Sequence, residues 1–167
     1  DSLNYAKMLQ TAMTSNENMI PSLVKEHFIL NKPKSIIGGD YCLIEPFLTN
    51  SGNKLTAIAL ADCTGHGVPG AILSALSLGI LKNAVSDRDL CLAGEVLDHL
   101  KDKISNVFGS DRSNEKMRDG MDMSFCILDP KTKIMQFAGA RQKGLIIKHN
   151  GVVVELVPDQ QHIGYSE

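Results

Sequence analysis

The feature that most constrains this chain is a pair of aspartates, each set against glycine at the end of an apolar run. Asp40 follows Gly38-Gly39 and opens Tyr41-Cys42-Leu43-Ile44. Asp62 closes Leu55-Thr56-Ala57-Ile58-Ala59-Leu60-Ala61 and leads into Cys63-Thr64-Gly65-His66-Gly67. Between the runs, Asn50-Ser51-Gly52-Asn53 carries turn chemistry, which predicts a hairpin pairing 36–47 with 55–62. Such a hairpin returns Asp62 to the end of the sheet where Asp40 sits. Two carboxylates converging there, with glycines allowing close backbone approach, suit a hard divalent cation held by oxygen.

The rest of the chain supplies the frame. A helix is expected over 2–14, where Leu3, Ala6, Leu9, Ala12 and Met13 recur at helical spacing behind Ser2 as N-cap. Its apolar stripe either packs on the core or carries a signal from a preceding domain. Residues 15–35 are polar, contain Pro21 and Pro33, and read as a loop with one strand at Phe28-Ile29-Leu30. After the hairpin, Pro69 fits the first turn of a helix over 69–85, apolar nearly all round and so expected to be buried. Gly70, Ala71, Ala75 and Gly79 would let it pack closely. A second helix over 92–108 puts Val96, Leu97, Leu100, Ile104, Val107 and Phe108 on one face, with Asp98, Lys101, Asp102 and Lys103 towards solvent. The polar stretch 109–120 reads as a mobile loop. Strands are expected at 121–128, 134–138, 144–148 and 152–157. Turns fall at Asp129-Pro130-Lys131-Thr132, Ala138-Gly139-Ala140 and His149-Asn150-Gly151. Strands, then helices, then meandering strands give an α+β fold of helices on antiparallel sheet, not a βαβ repeat.

Bulk properties exclude several classes. The 167 residues, 43% hydrophobic and 22% charged, fit one globular domain with a real core. A net charge of -2 offers no basic field for nucleic acid or anionic lipid. No apolar run is expected to span a membrane, because Pro69, Gly70, Ser74, Ser77 and Gly79 interrupt 68–81. The start Asp1-Ser2-Leu3-Asn4 lacks the basic and apolar blocks of a signal peptide, so a cytoplasmic domain is expected. Cysteines 42, 63, 91 and 126 form no C-x-x-C pair, which favours reduced thiols over zinc or disulfides. The P-loop, G-x-S-x-G and H-E-x-x-H motifs are absent.

Oxygen ligands without paired thiols point to Mg²⁺ or Mn²⁺ ahead of zinc. Asp62 would offer its side chain while the Cys63 carbonyl faces the same ion. A bound cation turns water into a nucleophile, and two ions can clamp a phosphoryl group. Each aspartate alone could equally be a turn or capping residue. His66, between Gly65 and Gly67, is unsuited to a core position and reads as a proton donor, a phosphate contact or a plain loop residue. Asp122, in Asp119-Gly120-Met121-Asp122, is either an acid near the site or a cap at the start of a strand. Arg141, Gln142 and Lys143 either meet anionic phosphate, which the guanidinium fork matches, or stand as exposed turn residues.

Gly38-Gly39-Asp40-Tyr41, the stretch from Ala61 to Ala71 (ADCTGHGVPGA), Asp119-Gly120-Met121-Asp122 and Phe137-Ala138-Gly139-Ala140 occur in an order that resembles a known family. They resemble the bacterial metal-dependent protein serine/threonine phosphatases of the type 2C superfamily, in the branch typified by stage II sporulation protein E. Asn4-Tyr5-Ala6-Lys7-Met8-Leu9-Gln10 resembles the lead-in helix of that branch. The resemblance implies an α-β-β-α sandwich of antiparallel sheets flanked by helices. It also implies two Mn²⁺ or Mg²⁺ ions and hydrolysis of phosphoserine or phosphothreonine by a metal-activated water. Asp40 and Asp62 match the family's metal ligands, and Cys63 stands where a backbone carbonyl serves. His66 joins the two aspartates as a catalytic candidate from its place in the loop, with Gly65, Asp122 and Arg141 near the site. A phosphorylated signalling partner, such as an anti-sigma-factor antagonist, is implied, with an upstream sensory or receiver module that is membrane-linked in some relatives. A homodimer is left open. Residues 1–14 would then form a regulatory helix and 15–167 the phosphatase domain. In the family, further strands with an S-D-G segment and a last acidic ligand follow the match to Ile163-Gly164-Tyr165, whereas this sequence stops at Glu167. The stretch alone is therefore expected to hold metal weakly and turn over poorly. A non-catalytic, degenerate relative serving as a regulated protein-binding module is the alternative.

Overall fold

A computed structural model describes residues 1–14, 18–87, 92–109 and 119–164. In chain order it forms α1 (Ser2–Met13), α2 (Ile20–Leu23), β1 (Tyr41–Leu48), β2 (Lys54–Cys63), α3 (Val68–Ser86) and α4 (Ala93–Gly109). Then follow β3 (Gly120–Leu128), β4 (Met135–Ala140), β5 (Gly144–Ile147), β6 (Val153–Leu156) and β7 (Ile163–Gly164). Most of the polar loop expected over 109–120 lies outside the described residues.

Strands β1-β2-β3-β4 pair antiparallel in that order. β4 pairs with Ser124–Leu128 of β3, and β7 takes the free stretch beyond it, with Met121 opposite Ile163. β5 and β6 make a separate two-stranded antiparallel sheet. This is the expected α+β architecture of antiparallel sheets flanked by helices.

Period-two alternation decides which side is covered. Ala57, Ala59, Ala61 and Cys63 of β2 are buried, as are Met121, Met123, Phe125 and Ile127 of β3. They share one core with α3 and α4. Three small alanines in a row let α3 sit close over the sheet, and close packing is what a dense interior requires. Leu81, Leu100, Ile104 and Phe125 are all 0% exposed, and each such burial contributes about 1.5–3 kcal/mol.

Some expectations are corrected. α3 is not buried all round: Gly70, Leu73, Ser74, Ser77, Leu78, Leu81, Ala84 and Val85 form one stripe at spacings of three and four, while Ile72 stays 64% exposed. By length and composition α3 could cross a membrane despite its interruptions, yet that stripe is part of the core. On α4, Val107 is half exposed and leaves the core face that Val96, Leu97, Leu100 and Ile104 make. No strand forms at Phe28-Ile29-Leu30, where Phe28 is 90% exposed and no neighbour offers a ladder. Instead Pro21 starts the short α2, which buries Ile20. β1 begins at Tyr41, not at Ile36. Ala138-Gly139-Ala140 belongs to β4, and the chain turns just after it, where Arg141 adopts φ 55° and Gln142 N–H donates to the Ala140 carbonyl at 2.7 Å.

Candidate metal centre

Register brings the aspartates together. Tyr41 pairs with Ala61, so Asp40 and Asp62 stand at the same level at the end of neighbouring strands. Asp62 in turn pairs with Asp122 on β3. Tyr41, Ala61, Cys63, Met121 and Met123 all point into the core, so alternation puts the three aspartates on the sheet face away from α3 and α4. Asp40 and Asp62 face each other across the end of the β1–β2 pair, one step beyond Tyr41 and Ala61. Partial desolvation first, then the neighbouring Asp62 carboxylate, push the Asp40 carboxyl above its ordinary range. Two like charges set side by side disfavour each other, and a cation between them would relieve that repulsion.

Glycines make the approach sterically feasible. A Cβ on Gly39 would lie 2.9 Å from the Cys63 carbonyl oxygen, and one on Gly70 would lie 2.6 Å from the Gly65 carbonyl oxygen. Any side chain at either position would force the three segments apart. Gly65 and Gly67, with φ of 85° and 67°, turn the chain from β2 into α3. The Cys63 carbonyl thus lies against Gly39, one residue from Asp40. The Cys63 thiol is buried beside Ser77, and burial chiefly pushes it up to about 12. Only the backbone of Cys63 is in a position to serve a cation.

Two clefts meet at Asp62. One, of about 220 Å³, is lined by Asp40, Asp62, Leu60 and Gln142 together with Ile29–Lys32. The other, of about 290 Å³, is lined by Asp62, Thr64, Asp122, Arg141 and His162, with Gly120 and Met121. In it the Arg141 Nε lies 4.0 Å from Asp122 Oδ1. Thr64 fastens the end of β2 to the start of β3. Its N–H donates to the Gly120 carbonyl at 2.8 Å, and its Oγ1 accepts from Gly120 N–H at 3.0 Å and donates to Asp119 Oδ1 at 3.1 Å. His66 is exposed in the loop and lines neither cleft. Lys143 is drawn to Glu155 at 2.9 Å. Sequence reasoning missed Thr64 as a clasp and His162 as a lining residue. Thr64 lay inside the motif already singled out, whereas nothing in the spacing around His162 marks it.

The residues present fit one divalent cation in part. Asp40, Asp62 and the Cys63 carbonyl are hard oxygen donors on adjoining segments. Among the described residues, no group of three or more His, Cys, Asp or Glu side chains is placed to hold a metal. Among the described residues a full two-ion ligand set is thus not assembled.

The antiparallel α+β fold is that of a type 2C phosphatase domain. The SiaA-PP2C domain of Pseudomonas aeruginosa matches with a TM-score of 0.79 and 27% sequence identity, over 98% of this chain and 62% of that one. A structure reported with the bacterial stressosome, a modular system adapted to control secondary messenger signalling, matches in fold with a TM-score of 0.57. That match has 16% identity and covers 80% of this chain and 59% of the other. The chain therefore spans less than two thirds of either structure. No curated protein sequence gives a significant match. Residues 52–167 match the family described as Stage II sporulation protein E (SpoIIE), and the chain belongs to that family.

Proposed function

We propose that this chain is the greater part of a metal-dependent phosphatase domain that hydrolyses phosphoserine or phosphothreonine on a signalling protein. The observation that carries the reading is the register of β1 and β2, which sets Asp40 opposite Asp62 at the rim of a fold of this family. Asp40, Asp62 and the Cys63 carbonyl would hold a Mn²⁺ or Mg²⁺ ion. When bound, such an ion activates water and offsets phosphoryl charge. Arg141, which lines the cleft that Asp62 and Asp122 share, would donate to a phosphate oxygen in the geometry its guanidinium favours. Asp122 would hold that guanidinium in place until substrate enters. His66 is given no part in binding, because it faces solvent outside both clefts.

The partner would be a phosphorylated protein, such as an anti-sigma-factor antagonist, in a cytoplasmic signalling pathway. The stressosome context of the second structure is in keeping with a protein partner. Residues 1–14 would be the input from an upstream sensory or receiver module. One observation favours the alternative of a non-catalytic binding module: no group of three metal-binding side chains comes together among the described residues. The test is Mn²⁺-dependent release of phosphate from a phosphoserine peptide by the full-length protein. Asp62→Ala is expected to cost at least about 100-fold, as removal of one preorganised electrostatic contact does. Equal rates in the two proteins would remove the proposed role of Asp62, and no Mn²⁺-dependent release by the unaltered protein would remove the phosphatase reading.

A further inference from the structure

The first helix has no fully buried residue and rests Met13 against the core, and it is hydrogen-bonded to the site through Gln10. Gln10 Nε2 donates to the Gly38 carbonyl at 2.6 Å, and Gly38 N–H donates back to Gln10 Oε1 at 3.3 Å. The same Nε2 donates to Ser74 Oγ of α3 at 2.8 Å, and Ser74 Oγ donates to the Gly38 carbonyl at 3.3 Å. Ser74 is 2% exposed. One side-chain amide thus satisfies both backbone groups of Gly38, as a neighbouring strand would.

The position explains why this matters. β1 is the edge strand of the sheet, and Gly38 lies in the bent, irregular segment just before it, where no strand partners the chain. Backbone donors and acceptors left without partners there would drift towards water. Asp40 is two residues further on. We propose that Gln10 is a positioning residue for Asp40: its amide stands in for the missing strand and holds the Gly38-Gly39-Asp40 segment at the level of Asp62. Ser74 anchors the amide to the core helix, so the clasp joins α1, α3 and the site. A displacement of α1 from α3 would carry Gln10 away and free Gly38. This inference rests on the reading of Asp40 as a cation ligand.

The test uses the full-length protein carrying Gln10→Met, which keeps length and apolar stem but cannot pair with Gly38, and Gln10→Glu, which keeps one acceptor and loses the donor. Amide hydrogen exchange is measured first on metal-free protein. Gln10→Met is expected to raise exchange at Gly38 about tenfold, the loss of roughly one net hydrogen bond, whereas Gln10→Glu still accepts from the Gly38 N–H and should raise it less. Core amides of β2 and β3 should be unchanged, since α1 has no buried residue and the core contact it makes through Met13 is untouched by either variant. Mn²⁺ affinity by calorimetry should then fall about 10- to 100-fold, as when a partner that orients a ligand is lost. In Gln10→Met, unchanged exchange at Gly38, or exchange that rises equally throughout the sheet, would overturn the proposal. So would a Mn²⁺ affinity equal to that of the unaltered protein. Because the exchange measurement needs neither metal nor turnover, it can fail while the Asp62→Ala comparison stands, and the reverse.

Discussion

At the scale of single residues, the site depends as much on absent side chains as on present ones. The Gly70 Cα is packed against Gly39 and the Gly65 carbonyl, with no flexible side chain able to yield. Gly70→Ala is therefore expected to destabilise the fold by about 1–3 kcal/mol, the usual cost of forcing a methyl group into packed backbone. A urea midpoint measured against the unaltered protein checks this, and an unchanged midpoint would mean that the three segments can part without cost. His66→Ala should leave both stability and Mn²⁺-dependent activity close to the starting values, since the ring is exposed and lines neither cleft. Asp40 and Asp62 were legible in the sequence because a short turn between two apolar runs determines which ends meet. Asp122 was harder: only the register of β3 against β2 reveals that it pairs with Asp62. Gln10, Thr64 and His162 could not be placed from spacing, because each meets its neighbours far along the chain, Gln10 across 28 and 64 residues and Thr64 across 55 and 56. Their roles follow from tertiary contact, which periodicity does not encode.

At the scale of elements, composition set type well and burial poorly. α3 is apolar all round, but a sheet offers it one flat surface, so only one stripe is covered. The apolar Phe28-Ile29-Leu30 is too short to recruit a partner strand and stays in the open. β7, only two residues long, exists because β4 stops short and leaves the Gly120–Met121 end of β3 free. Turn chemistry was the more reliable guide. In the β3–β4 turn, Asp129 Oδ1 accepts from Lys131 N–H at 2.8 Å and Thr132 N–H at 3.2 Å. A side-chain hydrogen bond from Thr132, then the Lys131 N–H, hold the Asp129 carboxyl below 3.8. Because the folded value is the lower one, its contribution to stability is present above 3.8 and is lost as pH falls through the folded value. Asp129→Ala is thus expected to be less stable than the unaltered protein at neutral pH, with the difference closing in the acid range. Urea midpoints across that range decide it, and a difference independent of pH would show that the carboxylate charge has no part in the turn.

At the scale of the whole molecule, the parts do not contribute equally to the rim. The sheet and its two long helices make a closed core, whereas β5 and β6 leave Leu145 at 58%, Ile147 at 73% and Val153 at 57% exposed. The face that carries Asp40, Asp62 and Asp122 likewise leaves Leu60 half exposed. The covered half of the molecule explains why the fold was legible, since core helices and central strands have the strongest patterns. The open half explains why the ligand set was not, since a cation site draws donors from several segments. Affinity for a hard cation rises with the number of carboxylates that reach it. Among the described residues β1 and β2 set two such side chains opposite each other, and Asp122 is instead held near Arg141. Mn²⁺ is therefore expected to bind this chain at the weak end for oxygen sites, with a Kd on the order of 0.1–1 mM, and to be lost in Asp62→Ala. Calorimetric titration tests both halves. Two ions bound tightly and stoichiometrically would mean that the rim already holds a complete ligand set, and would contradict the geometry from which the site was built.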